Sequence, residues 1–392
     1  MNPSSKTIAT IIYYATFIIM GATTAASGPS LPALADNTAS GLEQISLIFV
    51  FSSLGYLIAS YFGGRAYDRI PGHKLMAAIL IILGIASALI PIANSISLLL
   101  LFMFFSGFAT GLLDVGCNTL LLWTHGEKSG PYLNGLHFFF GIGSFTAPLL
   151  LAQVLLLTGG IHWMYWVFAI LCLPVAIWFW FLPEPATHIQ SDESKNTALP
   201  LIPIVLCVLL FFLYVGLELG FGNWVYTYAL TLGLGTTITA AYLTSAFWGA
   251  FTVGRLLGVW ISTRMRAQNI LIMDLVGCLI STLIIMLWKD SVIALWVGTI
   301  GLGLSMASVF PTIFMYAGER MQITGTVTGL FLAGSGVGSM LLPWLIGQIF
   351  ARTGPSTMTT VLLVDIIGIV IVMFLFAGQK VIPASASQQA ST

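Results

Sequence analysis

Apolar runs of close to 20 residues, parted by short polar breaks, follow one another from Ile8 to Gly378. A bilayer core is spanned by about 20 residues of helix, whereas a membrane strand needs only ~10 with alternating polarity. The pattern therefore predicts twelve transmembrane helices, near 8–31, 43–63, 75–93, 97–122, 131–157, 161–182, 200–228, 237–262, 268–288, 292–316, 322–350 and 356–378. Gly and Pro recur in the longer runs, which predicts tilt or breaks there. The polar stretch 183–199 predicts a cytoplasmic linker between an N-terminal six-helix bundle (1–182) and a C-terminal one (200–378). An Ala/Ser/Gln-rich tail, 379–392, is expected to be disordered. The first run starts too close to Met1 to leave room for a separate basic region, so a retained helix is expected and not a cleaved signal.

The two halves repeat. A shift of 195 residues places Gly141, Gly143, Ser144, Pro148, Leu150, Gln153, Thr158 and Gly159 on Gly336, Gly338, Ser339, Pro343, Leu345, Gln348, Thr353 and Gly354. The same shift pairs Gly21 with Gly216, Gly63 with Gly258 and Arg69 with Arg264. One offset serving several spans implies two pseudo-symmetric bundles. With six spans in each, the repeats are parallel, and substrate is expected between them near the midplane.

Composition narrows the class. The chain is 58% hydrophobic and 7% charged, against roughly a quarter charged in soluble domains, which makes it an all-α integral membrane protein. Zero net charge gives no reason to expect nucleic acid as a partner. Cys117, Cys172, Cys207 and Cys278 lie within apolar runs at unrelated spacings and read as small core residues. With the N-terminus inside, eleven Lys and Arg residues flank the inner ends and only Lys289 and Arg352 the outer. That asymmetry predicts a multi-pass protein of the cell's inner (plasma) membrane with both termini cytoplasmic.

Scarce polar residues inside spans carry the chemistry. Asp114 stands in the apolar stretch Gly111–Leu122, where a lipid-facing carboxylate costs a few kcal/mol, so it is expected to face a cavity. Asn118 follows one turn later on the same face. A carboxylate with an amide carbonyl suits Na⁺, and the same carboxylate can instead carry a proton. Glu218 shares a face of its helix with Tyr214, and Gly220 and Gly222 precede Asn223 and Trp224. An acid, an amide and an aromatic plane suit a sugar's hydroxyls and its C–H face. Asn134 and His137 share a face of span five, and Trp248 in span eight offers a second plane. Asp274 is expected to be solvated near the membrane edge.

The loop Gly63-Gly-Arg-Ala-Tyr-Asp68-Arg69-Ile-Pro-Gly-His-Lys74 resembles the Gly-x-x-x-Asp-Arg-x-Gly-Arg/Lys signature of the major facilitator superfamily. Gly64, Asp68, Arg69 and the repeat partner Arg264 are candidates for a latch between the halves. Gly28-Pro-Ser-Leu31, Asp114-Val-Gly-Cys-Asn118, Leu136-His-Phe-Phe-Phe140 and Tyr214-Val-Gly-Leu-Glu218-Leu-Gly-Phe-Gly-Asn-Trp224 resemble the sodium-dependent glucose transporter-like branch, related to the fucose–proton symporters. The resemblance implies the major facilitator fold and cation-coupled transport of a monosaccharide such as glucose, galactose or fucose. Ser27-Gly28 replaces the Asn-Asp pair of the fucose symporters, which favours Na⁺ over H⁺ as coupling ion. A monomer needing no cofactor beyond that ion is expected. Proton-coupled export of an apolar drug or lipid is the second transport reading, disfavoured by the polar candidates. A membrane-embedded enzyme is disfavoured too: no His-Glu-x-x-His, Gly-x-Ser-x-Gly, paired catalytic aspartates or Walker motif is present.

Overall fold

The computed structural model describes residues 3–185 and 201–379, and every regular element in them is helical. The helices are α1 (Pro3–Asn37), α2 (Leu42–Ile45), α3 (Leu47–Arg69), α4 (Gly72–Leu89), α5 (Ile96–His125), α6 (Gly130–Thr158) and α7 (His162–Phe181) in the first half. The second half holds α8 (Leu201–Thr231), α9 (Thr237–Ser262), α10 (Ala267–Leu287), α11 (Val292–Met306), α12 (Val309–Gly318), α13 (Gly325–Thr353) and α14 (Ser356–Ala377). With α2–α3 and α11–α12 each forming one span, the twelve predicted spans are found with boundaries shifted by a few residues. Eleven are long and apolar enough to cross a membrane by length and composition. The twelfth, α9, carries Arg255 and several threonines. Most of the linker and tail, 186–199 and 380–392, lies outside the described residues.

Small residues set the helix spacing within each half. A Cβ on Gly143 of α6 would strike the Ile18 backbone of α1, and one on Gly338 of α13 would strike the Phe212 backbone of α8. These glycines are repeat partners, so one packing solution is used twice. Gly55, Gly107 and Gly111 bring α3 and α5 backbone to backbone in the same way. Large side chains such as Ile177, Trp180, Val364 and Phe374 point outward, as a lipid-facing perimeter requires.

The tenth span breaks at Ala307–Ser308. Pro311 has no N–H for the Ala307 carbonyl four residues back, and its ring crowds that carbonyl. Tyr214 donates to the Met306 carbonyl at 2.7 Å, satisfying a group near the break. Ser308 donates to Asp274 Oδ2 at 2.5 Å. Asp274 is only 4% exposed, so the expectation of a solvated acid is corrected: helix packing, invisible from its distance to the span end, encloses it.

The halves touch over the end away from both termini. Among the described residues, Gln348 donates to the Glu43 carbonyl at 2.7 Å, Arg352 to the Glu43 carboxylate at 3.0 Å, and Gln153 to the Tyr242 hydroxyl at 2.9 Å. Nearer the middle, Ser245 donates to the Phe145 carbonyl at 2.7 Å and Ser53 meets Ser339 at 3.1 Å. No hydrogen bond joins the halves at the other end among the described residues, and there Asn134 and His137 are exposed. The molecule is closed at one end and open at the end that bears its termini.

Candidate functional site

A pocket between the halves is lined by hydroxyls. Thr23, Thr24 and Ser27 of α1, Ser52 and Ser53 of α3, and Ser106 and Thr110 of α5 surround it from one half. Asn223 and Leu219 of α8 and Ser339 of α13 close it from the other, with Phe49 and Met103 supplying apolar surface. The α1–α8 crossing is possible because Gly28 has no side chain: a Cβ there would strike the Asn223 backbone. Of the sequence candidates only Asn223 belongs to this pocket. The hydroxyl pattern is present in Thr23-Thr24-x-x-Ser27 and Ser52-Ser53, but serine and threonine are common enough in membrane helices to carry no signal alone.

Asp114 is partly exposed and is held from two sides. The Tyr56 hydroxyl of α3 donates to Oδ2, and Asn118 Nδ2 donates to Oδ1 at 2.9 Å and to the Asp114 carbonyl at 2.9 Å. With its amide N–H turned toward Asp114, Asn118 has no donor to its side-chain carbonyl among the described residues. Ser60, one turn beyond Tyr56, adds a second buried hydroxyl close to the first. Carboxylate, amide carbonyl and two hydroxyl oxygens form a donor set suited to a small hard cation. No group of three or more His, Cys, Asp or Glu residues able to hold a metal occurs among the described residues.

On the opposite wall Glu218 is partly exposed, beside Tyr214 and within electrostatic reach of Arg255 on α9. His137, on α6, also feels Arg255 and meets the Phe17 ring edge-on at 6.0 Å. Asn134 lies one turn nearer the open mouth. In sequence Arg255 counts among the basic residues at the inner membrane edge. The structure corrects this: it stands about two turns inside α9, within electrostatic reach of Glu218 and His137, so that asymmetry becomes ten against two.

The two tryptophans sit differently from what their neighbours in sequence suggest. Trp224 is fully buried, donates to the Pro343 carbonyl at 2.8 Å and stacks on Phe350. Trp248 is 2% exposed, packed between Phe247 and Phe251. In this conformation both are packing residues of the second half, out of the cavity. Gly64, Asp68, Arg69 and Arg264 lie at the open end. Among the described residues none of the three charged ones makes an ion pair, and Arg264 rests on the Trp260 ring at 3.9 Å.

Residues 13–343 match the Major Facilitator Superfamily. The chain belongs to that superfamily. Sodium-dependent glucose transporter 1 of Xenopus laevis is 31% identical over 376 residues, covering 86% of this chain and 77% of that one. The Homo sapiens protein of the same name is 29% identical, over 85% of this chain and 72% of its own. Major facilitator superfamily domain-containing protein 4A of Pongo abelii is 27% identical, covering 88% and 87%. This facilitator therefore falls in the sodium-dependent glucose transporter-like branch and is a transporter, not an enzyme. Among solved structures, the inward-open xylose transporter XylE from E. coli superposes with a TM-score of 0.76 at 13% identity, covering 96% of both chains. The nucleoside transporter NupG gives 0.73 at 14% identity, over 96% of this chain and 98% of that one. At such identities the likeness carries the facilitator fold alone.

Proposed function

We propose that this facilitator moves a hexose across the plasma membrane by alternating access, in symport with Na⁺ that binds at Asp114 and Asn118. The observation that carries the reading is a hydroxyl-lined pocket between the halves that reaches Asn223, with an oxygen donor set around Asp114 one helical turn from its lining residue Thr110. Hydroxyls and an amide both donate and accept, which matches a polyol and is wasted on an apolar drug. The sodium-dependent glucose transporters among the relatives support the same substrate and ion. Both termini are cytoplasmic in this reading, so the open mouth faces inward and the halves, 1–182 and 200–378, rock about the cavity. Asn134, His137 and Glu218 flank the sugar path, and the protein works as a monomer.

Purified protein in liposomes tests this. Labelled glucose uptake, with galactose and fucose as competitors, is measured under a Na⁺ gradient and separately under a H⁺ gradient. Uptake is expected to require Na⁺. Asp114→Asn is expected to abolish Na⁺-driven accumulation while sugar exchange at equal concentrations persists. Uptake driven by H⁺ alone would reject Na⁺ coupling, and no hexose uptake under either gradient would reject the substrate.

A further inference from the structure

Arg255 is a cation about two turns inside a membrane helix with no paired charge to explain it. Its Nε is buried without a hydrogen-bond partner, and the guanidinium makes no ion pair among the described residues. Its close support is the Phe251 ring, 4.7 Å from the guanidinium carbon. A cation–π contact offsets part of the desolvation of such a group, but an unpaired charge at this depth remains unfavourable. Glu218 stands within electrostatic reach on α8, yet the two do not close into a bridge. Opposite charges within reach of each other attract, yet no contact joins these two.

The two unpaired groups have complementary hydrogen-bonding needs. A guanidinium presents five N–H donors and accepts nothing; an ionised carboxylate accepts and donates nothing. A hydroxyl does both. Two neighbouring hydroxyls of a sugar ring, lying between the groups, would accept from Arg255 and donate to Glu218, leaving none of the four unsatisfied. We propose that Arg255 contacts the substrate, forming with Glu218 a clamp on a vicinal diol that sets which hydroxyls the carrier demands. The inference rests on the hexose reading above and adds a residue and a selection rule to it. Lys offers a point charge where Arg offers a planar fork, so Arg255→Lys is not conservative at such a site.

The test compares counterflow of glucose and its four monodeoxy analogues (2-, 3-, 4- and 6-deoxyglucose) in wild type, Arg255→Lys, Arg255→Gln and Glu218→Gln. Each protein is normalised to the monodisperse fraction recovered on size exclusion. Wild type is expected to transport analogues lacking either hydroxyl of one adjacent pair about tenfold to a hundredfold less efficiently than glucose, the range of a hydrogen bond to a charged group. In the variants that discrimination is expected to collapse to within about threefold, while rejection at the remaining positions is kept. Equal loss for all five sugars with the wild-type pattern preserved would overturn the clamp and leave Arg255 a structural residue. Glu218→Gln reads the same clamp from its other side should the Arg255 variants fold poorly. Absence of any hexose counterflow in wild type overturns the substrate reading itself, an outcome distinct from a preserved pattern.

Discussion

Asp114 shows how a single residue can be held ready without being neutralised. Both of its hydrogen-bonding partners, Tyr56 and Asn118, are neutral donors, so in the proposed symport its charge is left for the cation. Tyr56→Phe removes one donor and one candidate ligand oxygen while keeping the ring. The half-saturating Na⁺ concentration for uptake is then expected to rise about tenfold, on the scale of a hydrogen bond to a charged group, with sugar exchange retained. A Na⁺ titration unchanged from wild type would remove Tyr56 from the site. Asp114 stands out of the sequence because an acid in an apolar run is costly wherever it faces. Tyr56 does not: in Ser52-Ser-Leu-Gly-Tyr56 nothing distinguishes it from a packing residue until α3 meets α5. Arg255 misleads for the converse reason, since a lone arginine seven residues from a helix end reads as flanking charge until the helix's facing is known.

At the scale of helices, two glycines do different work although both mark backbone contact. Gly107 joins α3 to α5 inside the first half, against the Ser52 backbone. Gly28 joins α1 to α8 across the two halves, against the Asn223 backbone. Gly107→Leu forces apart helices that remain together through the transport cycle, and overpacking of that kind costs about 1–3 kcal/mol. It is expected to lower the melting temperature by about 5 °C in a dye-monitored thermal melt. Gly28→Leu blocks only the closed arrangement beside Asn223. It is expected to leave the melting temperature within about 2 °C, abolish net transport, and favour the state open at the outer end. Equal destabilisation by both would show that α1 and α8 stay packed throughout the cycle. The spans themselves are legible from hydropathy, and their pairing in space from the 195-residue repeat. The break at Ala307–Ser308 is less so, because Pro148 and Pro343 sit within unbroken helices while Pro311 does not. The difference lies in tertiary partners: Tyr214 satisfies the Met306 carbonyl and Asp274 holds Ser308.

Across the whole molecule, Gln153 and Gln348 are repeat partners, and each reaches from its own half to the other at the closed end. The internal symmetry thus places one clasp on either side of the closed end. At the opposite end the proposed latch residues, Asp68, Arg69 and Arg264, make no ion pair among the described residues. A carrier that alternates must make one set of contacts as it breaks the other, so the two ends compete for the same population. Gln153→Ala with Gln348→Ala removes bonds worth about 2 kcal/mol together and should shift the ratio of the two states about thirtyfold toward the outward-open one. Asp68→Ala should shift it the other way, by weakening contacts made only when the inner end closes. Spin labels at Ser40 and Lys289 report the outer end, and labels at Lys128 and Arg266 the inner end. All four native cysteines are buried, which keeps the labelling confined to introduced sites. The glutamine pair should lengthen the outer distance and shorten the inner one, and Asp68→Ala should do the reverse. If both variants moved the two distances in the same direction, the ends would not be competing, and the latch assigned to Asp68, Arg69 and Arg264 would be wrong.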